Sequence, residues 1–375
     1  MKTLVAWRVL IRGKAVTALA VSGVFAAISF AFLQLGFYSS VPTSGRAIYE
    51  AMDFDIVLAS RAHVYQVRPK PMPRRRLYQA LGVLEVEAAI PFYQNYGRWR
   101  NISDGVLRSM FVMGIDTEQV LFMPPSIEEH RQKLRALDVA IADDSSKPEY
   151  GAAPRAVVEI NDRKVEIIDR YTLGRGFISS CIVIVSDLNF LRIFPGQFDN
   201  QIHLGFIRVR EGHAVDQVVD KLKSIMPSDI VVYSREAFMR HEVDYWLKST
   251  STGLVFGFGV GVAAVVGCAI LFQTLSTLIR RHLPEYATLK AMGYRDRQLA
   301  HIVFAQALVI AIAAYTIAVP ATYGLYDLAR GATNLPISMT AERMIVVFVM
   351  TIVICLSSAA ISLNALRKAD PVDLF

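Results

Sequence analysis

Four segments of this chain, each 23 to 27 residues long, contain no Asp, Glu, Lys or Arg. They cover residues 15–37, 253–279, 302–326 and 344–366. About 20 apolar residues in a helix cross the roughly 30 Å hydrocarbon core of a bilayer, so each segment predicts a transmembrane helix. The first segment is too long for the apolar core of a secretory signal and ends without a small-residue cleavage site. It is therefore interpreted as an uncleaved span.

The formal net charge of +7 is unevenly distributed along the chain. Residues 38–252 hold 27 basic and 27 acidic side chains, and residues 327–343 also sum to zero. The excess falls on residues 1–14, 280–301 and 367–375, which four spans place on one side of the membrane. Because basic residues near span ends stay in the cytoplasm, both termini are predicted to be cytoplasmic. Residues 1–14 are then an amphipathic cytoplasmic segment, and residues 38–252 lie outside.

The large outer segment is predicted to be an α+β domain with a core of its own. The order strand, helix, strand occurs twice in it, at residues 55–59, 74–81 and 85–93 and again at 203–210, 214–225 and 230–233. These two β-α-β-like halves bracket a central subdomain that includes strands at 107–115 and 181–185 and a polar helix at 127–137. The predicted fold class is an α-helical membrane protein with four transmembrane helices and a large α+β domain between the first and second.

A single long helix is predicted to enter the second span. Ser234 is a suitable N-cap, and neither Pro nor Gly occurs from Arg235 to Thr252. If this helix continued to Ile279, its 45 residues would measure about 67 Å. Such a rod would carry motion between the outer domain and the cytoplasmic side, although a simple support has the same sequence pattern.

The sequence lacks the common catalytic motifs, namely a GxxxxGK[ST] phosphate loop, HExxH and GxSxG. It also lacks a Cys and His cluster with metal-ligand spacing, and no large basic domain supports nucleic-acid binding. We therefore expect neither an enzyme nor a cofactor in this chain. The GFGVG run at residues 257–261 lies inside a span, so Gly253, Gly257 and Gly261 are interpreted as a helix-packing or dimer face.

The segment between the second and third spans has the features of a short helix. Pro284 suits the first turn, Glu285 favours the positive end of the helix dipole, and Gly293 suits the stop. Tyr286, Leu289 and Lys290 at i, i+3 and i+4 share one face. From spacing alone, a partner-binding helix and a charged connector remain equally good interpretations.

Resemblance to a known family decides between the two. EYATLKAMGY at 285–294 resembles the cytoplasmic signature of MacB/FtsX-type ABC exporter permeases, in particular their DevC branch. Further segments over the whole chain are similar to the same pattern: AWRVLIRGKAVTALAVSG at 6–23, RRLYQALG at 75–82, SDLNFLRIFPG at 186–196, ATNLPISMT at 332–340 and KADPVDLF at 368–375.

The resemblance implies an inner-membrane, homodimeric permease with a periplasmic domain and no ATP site of its own. A separate cytoplasmic ATPase would bind ATP and Mg and dock on the coupling residues: Glu285, Tyr286, Leu289, Lys290, Met292 and Gly293. A membrane-fusion adaptor and a TolC-like outer-membrane duct would complete an exporter. The alternative is an FtsX-like mechanotransmission protein that regulates a periplasmic partner without export. The cargo, whether lipid, glycolipid, peptide or siderophore, stays open.

Overall fold

The structure is a computed structural model that describes residues 14–174, 176–198, 200–281, 288, 292, 296–333 and 335–368. Its contacts divide the chain into two units. We call Met1–Ser39, Val255–Thr333 and Ile337–Phe375 the helical unit, and Ser40–Leu254 with Asn334–Pro336 the sheet unit.

The helices and strands alternate in the sheet unit and are long in the helical unit. In chain order they are α1 (Lys14–Glu50), β1 (Ile56–Ser60), β2 (Met72–Pro73), α2 (Arg75–Leu81), β3 (Val86–Asn101), β4 (Leu107–Ile115), α3 (Pro125–Glu128), β5 (Val139–Asp143), β6 (Ala156–Ile160), β7 (Arg163–Tyr171), β8 (Ile182–Ser186), α4 (Asp187–Ile193), β9 (Gln201–Ile202), β10 (Leu204–Val209), α5 (Val215–Ile225), β11 (Ile230–Ser234), α6 (Arg235–Lys248), α7 (Ser251–Arg281), α8 (Asp296–Thr333) and α9 (Ala341–Lys368).

Four helices of the described chain are long and apolar enough to cross a membrane: Lys14–Glu50, Ser251–Thr274, Ala300–Thr333 and Ala341–Ile361. Each contains one of the predicted apolar segments in whole or in large part. The helices α1 and α8 continue well past those segments, because a charged side chain does not interrupt the backbone hydrogen bonds of a helix. The predicted set of four apolar helices with an α+β domain between the first and second is present.

The sheet unit is built on a nine-stranded sheet with the order β11-β1-β10-β3-β4-β8-β5-β7-β6. The first four strands belong to the units β1-α2-β3 and β10-α5-β11, and their order interleaves the two units in one sheet, with neighbouring strands antiparallel. This is the split β-α-β arrangement. Its apolar strand faces and the buried face of α5, formed by Val218, Val219 and Leu222, share one core.

Strand β3 joins the two parts of the sheet. Its first half pairs with β10, its second half pairs with β4, and its last residues pair with β6. It runs to Asn101, eight residues past the predicted end at residue 93. The central subdomain therefore continues the same sheet from β4 to β6 instead of forming a separate layer.

The single 45-residue helix is wrong, because α6 ends at Lys248 and α7 begins at Ser251. The Thr250 hydroxyl donates to the Trp246 carbonyl oxygen at 2.6 Å and accepts from the Gly253 N–H at 3.1 Å. One threonine side chain thus takes the place of helical backbone bonds at the end of α6 and at the start of α7.

The polar helix predicted at 127–137 is also wrong in extent. Only α3 and a 3₁₀ turn at Lys133–Arg135 form there. The N–H groups of His130 and Arg131 bond carbonyl oxygens three residues earlier, so the turns are tight and an α-helix does not propagate.

Candidate functional site

Most of the predicted coupling residues lie outside the described residues: Glu285, Tyr286, Leu289, Lys290 and Gly293. Helix α7 ends at Arg281 and has two arginines in its last turn. Their positive charges interact favourably with the negative end of the helix dipole. Met292 is exposed, and its N–H donates to the Thr288 carbonyl oxygen at 3.0 Å. The coupling helix and its ATPase contact stay predictions.

The three predicted packing glycines of α7 lie in different surroundings. A Cβ on Gly253 would lie 2.2 Å from the Trp246 carbonyl oxygen, so only glycine fits beside the end of α6. A Cβ on Gly257 would lie 3.5 Å from the Tyr38 ring, an ordinary contact, and a Cβ on Gly261 would meet nothing within 4 Å. Of the three, Gly261 leaves the most room for another helix.

Other glycines, which the sequence pattern did not select, bring the helices of the helical unit close together. A Cβ on Gly23 would lie 2.8 Å from the Thr274 Oγ1, and one on Gly259 would lie 2.8 Å from the Gln34 Oε1. Small residues at such positions let helices approach closely in a membrane. The glycine on α1 and the glycine on α7 thus pack those two helices within one copy of the chain.

In the sheet unit, the last residues of α1 pack directly on α6. A Cβ on Gly45 would lie 2.6 Å from the Trp246 Cδ1, and the Tyr49 ring meets the Phe238 ring edge-on at 4.9 Å. All three aromatic side chains are buried. Both polypeptide connections between the sheet unit and the first two apolar helices therefore meet in one aromatic cluster.

A buried carboxylate fastens α6 to the loop that follows β1. Glu242 is fully buried, with its Oε1 at 2.9 Å from the His63 Nε2 and its Oε2 accepting the Gln66 N–H at 2.8 Å. The neighbouring His241 places its Nε2 at 3.1 Å from the Val64 carbonyl oxygen. An unpaired buried charge costs several kcal/mol. The contacts of Glu242 with the loop therefore stabilise both the buried carboxylate and the position of the loop.

Stacked aromatic rings strengthen the same attachment. The Tyr65 ring, in the loop, stacks on the Tyr245 ring of α6 at 4.5 Å and meets the Trp246 ring edge-on at 5.5 Å. Such pairs contribute about 0.5–1.5 kcal/mol beyond the area that they bury. We call residues 61–66 with α6 the loop–helix clamp.

His203 lies near the clamp and is held neutral. Its Nδ1 accepts the Gln94 N–H at 3.1 Å. Burial, and to a smaller extent the nearby His63, lowers the pKa of His203 to about 3. A neutral imidazole at this place accepts a backbone bond that a protonated ring could not accept.

Arg343, near the start of α9 in the helical unit, is buried. The Arg343 guanidinium donates to the Tyr326 Oη at 3.2 Å, to the Ser338 carbonyl oxygen and to the Ser39 hydroxyl. The Tyr326 hydroxyl in turn donates to the Phe32 carbonyl oxygen. One charged side chain thus connects α1, α8 and α9, and no carboxylate among the described residues pairs with it.

The sequence analysis missed both of these charged groups. For Glu242 a signal existed, because Phe238, Glu242 and Trp246 at i, i+4 and i+8 share one face of α6. Arg343 stands one residue before the fourth apolar segment and was counted with the preceding loop. Its burial depends on Tyr326 and Ser39, which are distant in sequence.

Comparison with known proteins identifies the C-terminal part of the chain. Residues 257–371 match the family model described as FtsX-like permease C-terminal. No curated protein matches the sequence.

Two solved structures share a distant likeness in fold. The periplasmic region of MacB from Actinobacillus actinomycetemcomitans is 11% identical over 50% of this chain and 92% of that chain, with a TM-score of 0.36. The extracellular domain of the noncanonic ABC-type transporter YknZ from Gram-positive bacteria is 11% identical over 48% of this chain and 98% of that chain, with a TM-score of 0.31.

Proposed function

The chain is a MacB/FtsX-type permease, a multi-pass membrane protein of the kind that works with an ABC ATPase, and from this premise we propose that it transmits ATP-driven motion to its sheet unit. The chain itself neither binds nor hydrolyses ATP in this proposal. A partner ATPase docks on the coupling residues between α7 and α8. Both termini are cytoplasmic, and the sheet unit is periplasmic.

The loop–helix clamp is the observation that supports this proposal. Helix α6 is separated from α7 by two residues only, and the last residues of α1 pack on the same α6. A displacement of either helix end therefore acts on a cluster that is anchored to the sheet by the pair Glu242 and His63. Since packed clusters of this kind do not deform gradually, they transmit a displacement instead of absorbing it.

The assembly that we propose is an exporter in the inner membrane. The chain forms a homodimer, a membrane-fusion adaptor binds it in the periplasm, and a TolC-like protein carries the cargo through the outer membrane. Co-purification of the adaptor supports export. Co-purification of a cell-wall hydrolase instead supports the alternative of an FtsX-like regulator.

The test measures distances between the two copies in the purified permease–ATPase complex. A spin label at Leu84→Cys, an exposed position in the sheet unit, is introduced after the native cysteines are replaced by serine. We expect the distance between labels to change on trapping with ATP and vanadate. An identical distance distribution with and without nucleotide contradicts the proposed transmission.

A pair of charged variants tests the predicted docking site in the same assay. Leu289→Asp places a carboxylate in the predicted apolar contact, and burial of an unpaired carboxylate costs several kcal/mol. We expect this variant to lose both the ATPase and the distance change, with expression unchanged. Thr288→Asp adds the same charge at the adjacent, exposed position and should retain both. Equal loss in the two variants, or full retention in Leu289→Asp, rules out the predicted contact.

A further inference from the structure

An apolar groove runs along one face of α1 in the helical unit. It is lined by residues of α1 from Lys14 to Phe25 and by residues of α8 from Val309 to Ile317. Its volume is about 630 Å³. Apart from Lys14, Thr17 and Ser22, the lining side chains are aliphatic or aromatic. The groove therefore has an apolar lining that suits an acyl chain, with one basic side chain, Lys14, among the lining residues.

That cation marks one end of the groove. Lys14 is the first described residue of α1 and is exposed. Arg281, the last residue of α7, lines a second groove on another side of α1 together with Thr277. The two cations stand at the membrane surface that the charge distribution predicts to be cytoplasmic, where anionic lipid headgroups attract basic side chains.

The length of the groove corresponds to one leaflet. From Lys14 to Phe25 the α1 helix rises by about 16 Å at 1.5 Å per residue. The hydrocarbon core of a bilayer is roughly 30 Å thick, so a single acyl chain covers about half of it. A chain that enters beside Lys14 thus ends near Phe25 and Ile317, where the lining ends.

We propose that this groove binds an anionic phospholipid, with one acyl chain between α1 and α8 and the lipid phosphate beside the Lys14 ammonium. Charge complementarity selects the headgroup, and the apolar lining holds the chain. The site depends on the membrane assignment of the helical unit and not on the transmission of motion proposed above.

The headgroup is tested with the full-length permease in nanodiscs that contain equal amounts of phosphatidylglycerol and phosphatidylcholine. Retained lipids are counted by native mass spectrometry after release into detergent. We expect Lys14→Ala to reduce the preference for phosphatidylglycerol about fivefold, since one basic side chain at a membrane surface contributes about 1 kcal/mol. Arg280→Ala removes a nearby cation that lines neither groove and should leave the preference unchanged. Equal losses in the two variants would mean general surface attraction and would overturn the site.

The acyl chain is tested by filling the groove. Ala313→Trp places a ring in the lining and should reduce the retention of both lipids, because the indole replaces the chain. Ile312→Trp places the same ring at the neighbouring, exposed position outside the lining and should retain both lipids. If Ala313→Cys instead forms a disulfide between two copies in high yield, a second copy fills the groove and the lipid proposal is wrong.

Discussion

Glu242 in the sheet unit and Arg343 in the helical unit are both buried charged side chains, and they are compensated differently. In the sheet unit, Glu242 is paired with His63, a group that can carry the opposite charge, and with a backbone N–H. In the helical unit, the partners of the Arg343 guanidinium among the described residues are neutral, namely a phenol, a hydroxyl and a carbonyl oxygen. The first arrangement forms one joint between a loop and a helix, whereas the second spreads its contacts over three helices.

The difference suggests two roles for buried charge. The Glu242 carboxylate is compensated by two partners in one loop, so the proposed displacement of α6 would carry that loop with it. The Arg343 guanidinium has several N–H groups in a planar fork and can exchange one neutral acceptor for another. We therefore expect the loss of Glu242 to be expensive and the loss of Arg343 to be moderate.

Glu242→Leu should have the largest effect. It leaves the buried His63 and the Gln66 N–H without a partner, so the free energy of unfolding of the sheet unit should fall by about 3–5 kcal/mol. The apparent Tm should fall by about 10 °C. The measurement is the thermal unfolding of the full-length protein followed by tryptophan fluorescence, to which the neighbouring Trp246 contributes.

Two further variants make that result specific. Asp244→Leu removes an exposed carboxylate of the same helix, whose ion pair with Lys248 is a surface pair of little energetic value, and should be nearly neutral. The double variant Glu242→Leu with His63→Leu removes both polar groups and should recover part of the loss. Equal Tm values for Glu242→Leu and Asp244→Leu would show that the buried pair does not fasten the loop.

Arg343→Met should have a smaller effect than Glu242→Leu. Its loss should cost about 1.5–3 kcal/mol, the usual contribution of hydrogen bonds to a charged group. We expect the lower end, because the Ser39 hydroxyl retains the Gly36 carbonyl oxygen at 2.9 Å and the Tyr326 hydroxyl retains that of Phe32. Thermal stability is measured by size-exclusion chromatography in detergent.

The control for that experiment is Arg330→Met, which removes an exposed arginine paired with Asp327 on the same unit. It should change the stability by less than about 1 kcal/mol. A loss for Arg343→Met as large as that for Glu242→Leu would remove the distinction between the two clusters.

The sequence was informative where a single segment determines its own structure. The four apolar helices follow from their length and lack of charge. Most strands of the two β-α-β units follow from local alternation and lie within two residues of the predicted bounds. The predicted end of β3 was too early, because Pro91 and Gly97 weaken the local strand pattern while pairing with β4 and β6 holds the strand extended.

The buried polar contacts depend on residues that no local pattern connects. His63 and Glu242 are 179 positions apart, and Ser39 and Arg343 are 304 positions apart. Threonine is compatible with a helix, so Thr250 did not indicate the break between α6 and α7 in the sequence. The break is recognised only from its tertiary contacts, namely the hydrogen bonds of Thr250 and the close approach of Gly253 to Trp246 and Leu247.

A pH series tests whether only the sheet unit responds to protons. Because the pKa of His203 is about 3 in the folded protein and about 6.5 in the unfolded chain, the unfolded state binds more protons between these values. Stability should thus be unaffected by His203 above pH 6.5 and should fall as the pH falls, by about 2 kcal/mol at pH 5.

The readout is the apparent Tm of the sheet unit from pH 7.5 to pH 5. His203→Asn keeps an acceptor for the Gln94 N–H and should flatten that slope. The Arg343 cluster should not respond, because a guanidinium stays charged throughout this range. An unchanged slope in His203→Asn would assign the pH dependence to other groups.

The smallest effect is expected at Gly36, which packs against Tyr326, a hydrogen-bond partner of Arg343. A Cβ there would lie 2.8 Å from the Cζ and Oη of Tyr326, a ring that is itself buried. Gly36→Ala gains helix propensity of about 1 kcal/mol but forces Tyr326 away from the Phe32 carbonyl oxygen, which costs about 1–3 kcal/mol. The net loss of stability should be about 1 kcal/mol.

The control is Gly324→Ala, on α8, where nothing lies within 4 Å of the added Cβ. This variant gains helix propensity without a clash, so it should be neutral or slightly stabilising. In a Tyr326→Phe background the hydroxyl is absent, so Gly36→Ala should lose less than in the wild-type chain. If the loss is the same in both backgrounds, the contact with the hydroxyl does not determine the position of α1 against α8.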